Sequence, residues 1–221
     1  RDDRLRGAPT LETMSHAASD GCVADCGGPR VDVEPAYVHE VMGRFGDRLG
    51  YGFTERQAET LWHGFGGDRG EHLRAWGIDP DRFWTVFHDE EDAAARAEAT
   101  FLHEDAAVVG ELDAPTALVT HCQQYLTEPV LSALDVRDWF DAIVCCDAET
   151  GWKPDPKPVR RALSAAGAES GRGVLVGDTP GDVGAAWNAG LEAAHVERHG
   201  HERRGCCVVG DRRIRRVDEL A

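Results

Sequence analysis

The stretch "GVLVGDTPGDVGAAWNAG" (173–190) decides how the rest of the chain is read. An apolar run ends in Gly177-Asp178, a second acid, Asp182, follows four positions later, and "GDVGAAWNAG" has the makings of a helix closed by Gly190. A short, near-continuous apolar run predicts a strand buried on both faces. Two carboxylates at the carboxyl end of a strand are hard oxygen donors of the kind Mg²⁺ takes. A turn aspartate followed by an N-cap aspartate is the plainer alternative.

Working outward, the alternation repeats. "TALVT" (116–120) predicts a strand, and "YLTEPVLSALDV" (125–136) a helix with Thr127 as N-cap and Pro129 in the first turn. "FDAIVCC" (140–146) predicts the next strand, and "DPKPVRRALSAAG" (155–167) a helix opened by prolines and closed at Gly167. "EAAHV" (192–196) and "CCVV" (206–209) are weaker strand candidates. The pattern predicts an α/β fold, a Rossmann-like parallel sheet with helices on both faces and ligands at the carboxyl ends of the strands.

Residues 36–110 read differently. "PAYVHEVMGRFGDRL", "TERQAETLWHGF", "RGEHLRAWG" and "DEEDAAARAEATFLHED" are helical patterns with no convincing strand between them, and glycines break them at 50–52 and 64–67. The expectation is a helical bundle (36–110) inserted in a core made of 1–35 and 111–221.

Composition narrows the classes. The chain has 221 residues, 42% hydrophobic and 29% charged, and a net charge of −16. That charge disfavours nucleic acid and anionic membrane as partners. There is no apolar run near the ~20 residues of a membrane span, and the polar start "RDDRLRGAPTLETM" shows no secretory leader, so a cytoplasmic location is expected. Lysine occurs only at Lys153 and Lys157. An acidic, lysine-poor chain fits a salt-rich cytoplasm; a GC-rich genome is the alternative. The seven cysteines form no metal pattern and are expected to be reduced, structural thiols.

Two further residues carry chemistry. Lys153, in "GWKPDPKP" (151–158), precedes a proline-started helix and could neutralise a bound phosphate and a nearby carboxylate; a solvated loop lysine is the alternative. Thr120 ends its strand with a hydroxyl able to bond a phosphoryl oxygen, a weak signal alone.

In this order and spacing the signals are more specific. The chain from about 31 to 221 resembles the haloacid dehalogenase-like superfamily, in its phosphatase branch with a helical cap (phosphoglycolate phosphatase and β-phosphoglucomutase-like proteins). "TALVTHCQQYLTEPVLSALDVRDWFDAIVCCDAETGWKPDPKP" and "GVLVGDTPGDVGAAWNAGL" look like that family's second, third and fourth motifs. The resemblance implies a helical-bundle cap inserted in the core, and a Mg²⁺-dependent phosphomonoester hydrolase working through an aspartyl-phosphate. It implies Asp178 as a metal ligand, Asp182 as support for the metal or its waters, Lys153 against nucleophile and phosphate, and Thr120 on phosphate oxygens. His121 stands where the family often has Asn. "GDTPGD" differs from the Ser-Ser-Asn of the dehalogenase branch and so points to phosphoryl transfer. A phosphosugar mutase and a catalytically inactive phospho-ligand binder are the alternatives.

The resemblance falters at the first motif, Asp-x-Asp-Gly-Thr/Val. "VDVEPAY" (31–37) resembles the segment that follows it, and counting back seven from Asp32 puts Asp25 at the nucleophile position. Gly27 then stands where the general acid/base belongs; its carbonyl can serve the metal, but it has no proton to give. "DGCVA" (20–24) makes a poor buried strand, and one expectation is that residues 1–30 are not the ancestral N-terminus. The cap loop "HGFGGDRGEHLRAWG" (63–77) is the expected specificity loop, with Arg69, His63 and His72 in reach of a substrate anion. The expected partner is a small phosphorylated metabolite, and the expected state a monomer or weak homodimer.

Overall fold

The computed structural model describes residues 31–168 and 173–220, together with the backbone of the strand Cys22–Ala24. In chain order the elements begin with β1 (Cys22–Ala24) and β2 (Val31–Val33). A helical bundle follows: α1 (Pro35–Leu49), α2 (Glu55–His63), α3 (Arg69–Ala75), α4 (Pro80–Glu90) and α5 (Ala93–Glu98). Then come β3 (Thr100–Leu102), β4 (Thr116–Thr120), α6 (Gln124–Ala133), β5 (Ala142–Cys145), α7 (Lys157–Ala165), β6 (Val174–Gly177), α8 (Pro180–Ala189), β7 (Glu192–Val196), α9 (His201–Arg204) and β8 (Arg212–Ile214).

The main sheet has six strands in the order β5-β4-β1-β6-β7-β8, all parallel. β4 and β6 are buried along their whole length, as strands covered on both faces must be. Ala117 and Val119 pack with Val159 and Ala185 on one face, while Leu118 packs with Leu131 and Val176 on the other. The sheet passes from β4 to β6 across β1, so the chain reverses its direction of winding there. That switch point is where the carboxyl ends diverge and leave room for a ligand.

The reading of "DGCVA" as a poor strand needs correction at Cys22–Ala24. Those residues pair with Thr116–Leu118 on one side and Val174–Val176 on the other. Three residues held by two flanking ladders form a strand that a hydrophobic run alone would not announce.

Local chemistry explains the bundle. Thr54 and Gln57 form a capping box at α2, and Asp68, Asp79 and Asp92 cap α3, α4 and α5 through their side chains. Gly50 and Gly64 close α1 and α2 in left-handed geometry. Phe45, Phe83 and Leu73 are fully buried at its centre, with Trp62, Trp84 and Phe87 packed around them.

Several expectations are corrected here. The run 89–105, read as one helix, breaks into the end of α4, the short α5 and the strand β3, which pairs antiparallel with β2. β-branched Thr100 and aromatic Phe101 favour that strand. Residues 100–110, read with the bundle, lie with the core instead: Leu102, Val108 and Val109 pack beside Leu118 and Val136. α6 starts at Gln124, not at Thr127. Thr127 is buried inside it with its hydroxyl on the carbonyls of Cys122 and Gln123, and Pro129 lies in the helix interior. "CCVV" is not a strand; the edge strand is β8, which begins at Arg212.

Candidate active site

Asp182 lies in the first turn of α8 and has no solvent exposure. Its Oδ2 accepts the backbone N–H and the hydroxyl of Thr179 at 2.9 and 2.6 Å, closing a capping box. Its Oδ1 is 2.7 Å from Nζ of Lys153, itself buried. Burial alone would raise the Asp182 pKa; the lysine ammonium and the two bonds from Thr179 outweigh it and hold the carboxyl below its ordinary value. Gly177 makes this possible, because a Cβ there would lie 2.2 Å from Cβ of Asp182.

Lys153 also donates to the carbonyl of Val119 at 3.1 Å, which brings the ammonium to the carboxyl end of β4. Thr120 is the next residue and is buried. Its Oγ1 accepts the N–H of Cys122 at 3.0 Å, so the hydroxyl proton points elsewhere and can serve an acceptor in the site. His121 accepts the Lys153 backbone N–H through Nε2 at 3.0 Å. Burial, with the Lys153 ammonium beside it, holds His121 neutral down to about 3. Thr120, His121, Lys153 and Asp182 thus lie together at the carboxyl end of β4.

Asp178 follows β6, buried, with Oδ2 held by Nη2 of Arg204 at 2.8 Å. Arg204 closes α9 and is only 2% exposed. Among the described residues its Nε and Nη1 have no hydrogen-bond partner. Arg204 also lines a cleft of about 680 Å³ between α2, α3 and α9, with Phe65, Gly66, His72, Trp76 and Arg203. No sequence signal marks Arg204: "HERRG" has the composition of a solvated turn, and its burial arises from the tertiary pairing with Asp178.

The donor set bears directly on Mg²⁺. Asp178 fits: it is a buried carboxylate at the right strand end, although a guanidinium holds one of its oxygens. Asp182 does not present itself as a ligand, since both its oxygens are engaged by Lys153 and Thr179. Asp25 and Gly27 lie outside the described residues. Arg69 is turned to a structural task, with Nε and Nη2 donating to the carbonyls of Leu61 and Trp62 at the end of α2. His72 bonds the Phe65 carbonyl through Nε2 at 3.1 Å.

With this geometry in view, comparison with known proteins is informative. A family model described as haloacid dehalogenase-like hydrolase matches residues 93–196. The plasmid-borne phosphoglycolate phosphatase of Cupriavidus necator is 35% identical over 85 residues, 38% of this chain and 36% of that protein. Pyrophosphatase PpaX of Bacillus velezensis is 45% identical over 66 residues, 30% of this chain and 31% of that protein. The matched region thus spans about a third of the length of each. Among solved structures, a haloacid dehalogenase-like family hydrolase from Streptococcus pneumoniae superposes with a TM-score of 0.73 at 14% identity, covering 91% of this chain and 96% of that one. A HAD phosphatase from Thermococcus onnurineus superposes with a TM-score of 0.65 at 22% identity, covering 91% and 95%. These two likenesses show the fold.

Two outcomes follow from the electrostatics. Replacing Arg204 by Met removes the guanidinium from the buried Asp178 carboxylate, so urea denaturation should show a loss of about 1.5–3 kcal/mol; a loss below about 1 kcal/mol would mean the pair carries little. Burial also lowers His63 to about 3 and His199 to about 4. With His121, these rings take up protons on unfolding below their unfolded value of 6.5. Stability is therefore full above about pH 6.5 and declines as pH falls toward 3–4, by at most about 1.4 kcal/mol per pH unit for each ring and less for the part-exposed ones. A urea midpoint unchanged between pH 7.5 and 5, measured in chelator, would contradict this.

Proposed function

We propose that this chain, whose residues 93–196 match the haloacid dehalogenase-like hydrolase family model, is a member of that family and hydrolyses the phosphate ester of a small organophosphate through an aspartyl-phosphate formed on Asp25. The observation that carries this reading is the convergence of the Thr120 hydroxyl and the buried Lys153–Asp182 pair at the carboxyl end of β4, with Asp178 at the end of β6. These strands flank β1, and Asp25 is the next residue after it in the sequence.

In this proposal Lys153 neutralises the phosphoryl oxygens and the incoming carboxylate, while Asp182 behind it keeps the ammonium in place. Thr120 donates its hydroxyl proton to a phosphoryl oxygen. An Asp25 oxygen bonds to phosphorus as the ester P–O bond breaks, and the alcohol leaves. Water then attacks phosphorus, releasing phosphate and restoring the carboxylate. Mg²⁺ held through Asp178 would draw charge from the transferring group. With Gly27 at the acid/base position the departing alkoxide takes its proton from water, which favours substrates with good leaving groups. The named activities of the relatives, on phosphoglycolate and pyrophosphate, support a small, highly anionic substrate. The unsatisfied nitrogens of Arg204 are in keeping with such a ligand.

One observation favours a second reading. A guanidinium on the proposed metal ligand, together with Gly27, is what a non-catalytic phospho-ligand binder would tolerate.

Hydrolysis of an aryl phosphate with Mg²⁺ separates them. Lys153→Met and Asp178→Asn should each lower kcat/KM by about 10²-fold or more. Gly27→Asp should raise turnover of alkyl phosphates, by up to about 10²–10⁴-fold. No turnover by the wild type or the Gly27→Asp variant, with phosphate still bound, selects the binder. Activity indifferent to both Lys153→Met and Asp178→Asn rules out the site altogether.

A further inference from the structure

Away from the Lys153 centre, three metal-ligating side chains converge where the two-stranded stem, the bundle and the core meet. Asp32 is the middle residue of β2, between Val31 and Val33, which are buried in the core and bundle clusters respectively. His63 is the last residue of α2. His199 lies between β7 and α9. One donor atom from each lies within 4.8 Å of the other two. The imidazole rings are 4.5 Å apart between centroids, and His199 Nε2 is 3.9 Å from Asp32 Oδ2.

That separation is too long for a hydrogen bond. His199 Nε2 is buried and has no hydrogen-bond partner among the described residues. Oδ1 of Asp32 accepts the Val33 N–H at 2.8 Å, while Oδ2 faces the His199 ring. The side chains of Asp32 and His199 are only 16% and 9% exposed. Phe65 walls the group, stacked on His63 at 5.0 Å and edge-on to His199 at 5.1 Å. The nearby arginines already have carboxylate partners: Arg203 sits on Glu59 at 2.9 Å and Arg204 on Asp178 at 2.8 Å. Three converging donors that do not bond one another, in a largely dry pocket, lack an electrophile at their centre.

We infer that Asp32, His63 and His199 bind one divalent transition metal of the zinc class, tying stem, bundle and core together. Two imidazoles and one carboxylate suit Zn²⁺, Co²⁺ or Ni²⁺ and not Mg²⁺, which prefers oxygen. Donors on a tetrahedral Zn²⁺ with bonds of about 2.0–2.1 Å lie about 3.4 Å apart, so modest side-chain rotation closes the site. Three protein ligands leave the fourth position to water or another small ligand. The ligands come from three bodies, so metal fixes the bundle against the sheet and stabilises the fold by mass action.

The site is independent of the phosphatase reading, and the test keeps the two apart. Chelator-treated protein is titrated with Co²⁺ and followed by absorption spectroscopy, with Zn²⁺ displacement and thermal melting alongside. One equivalent per chain with nitrogen and oxygen ligation, a raised Tm, and no displacement by millimolar Mg²⁺ are expected. Asp178→Asn should leave that equivalent intact. Asp32→Asn, nearly isosteric, should weaken Co²⁺ binding roughly 10–100-fold, and His63→Ala with His199→Ala should abolish it. Failure of the wild type to bind Co²⁺ or Zn²⁺ at tens of micromolar overturns the inference. So does a thiolate charge-transfer band, which would place the metal on the exposed Cys206 and Cys207, or an unchanged titration in Asp32→Asn.

Discussion

A carboxylate with no solvent exposure needs a cation and hydrogen bonds against it, and Asp182 has both. Meeting that requirement fixes much of the surrounding structure. Thr179 must start α8 so that its N–H and hydroxyl reach Oδ2. Residue 177 must be glycine so that the end of β6 can pass the Asp182 side chain. Gly184, in the second turn of α8, leaves room for Pro154, whose ring a Cβ would approach to 2.8 Å. The loop carrying Lys153 is thereby held against α8, and the lysine reaches across to Val119 at the end of β4. Two strands on opposite sides of β1 are thus joined by one buried charge pair. The same pair holds the Lys153 ammonium, buried and oriented, at the carboxyl end of β4.

A second buried pair extends this arrangement to the bundle. Arg204 holds Asp178 from α9, and its carbonyl accepts the Gly66 N–H at 2.8 Å. The neighbouring Arg203 reaches Glu59 on α2. α9 therefore links the end of β6 to the loop after α2, with Phe65 beneath both guanidiniums. The acid at the end of β6 and the loop after α2 thus share one short helix as their link. Stem, bundle and sheet also meet at Asp32, His63 and His199, next to this link.

The legibility of these features depends on their range in the sequence. Thr120, Asp178 and Asp182 sit at strand ends and a helix start whose apolar runs and caps are local, so the pattern places each along the chain. Lys153 falls in the loop before a proline-started helix, and the grouping of the four is what the family resemblance implies. The site's main strands, β4 and β6, are continuous apolar runs and equally plain. β1 is obscured because three residues carry no periodicity and derive their conformation from neighbours nearly a hundred or more positions away. α4 is faint in the sequence although Asp79-Pro80 is a proper start, because its large apolar side chains all fall within Phe83–Phe87, little more than one turn. Arg204 and His199 are illegible: a charged turn reads as solvated, and only the fold brings it over Asp178 and His63. Arg69 shows the converse, a plausible anion contact in sequence whose guanidinium the local helix end takes up.

If the Lys153–Asp182 pair is the phosphate-binding centre, as proposed, its removal must weaken phosphate binding. Titration of the protein with inorganic phosphate, followed by ³¹P NMR, tests it most directly when the wild type is compared with a Lys153→Met/Asp182→Asn double variant. Removing both charges together avoids stranding either one in the interior. Saturable binding to the wild type is expected, weakened at least about tenfold in a folded double variant. Equal affinity in the two proteins would contradict it.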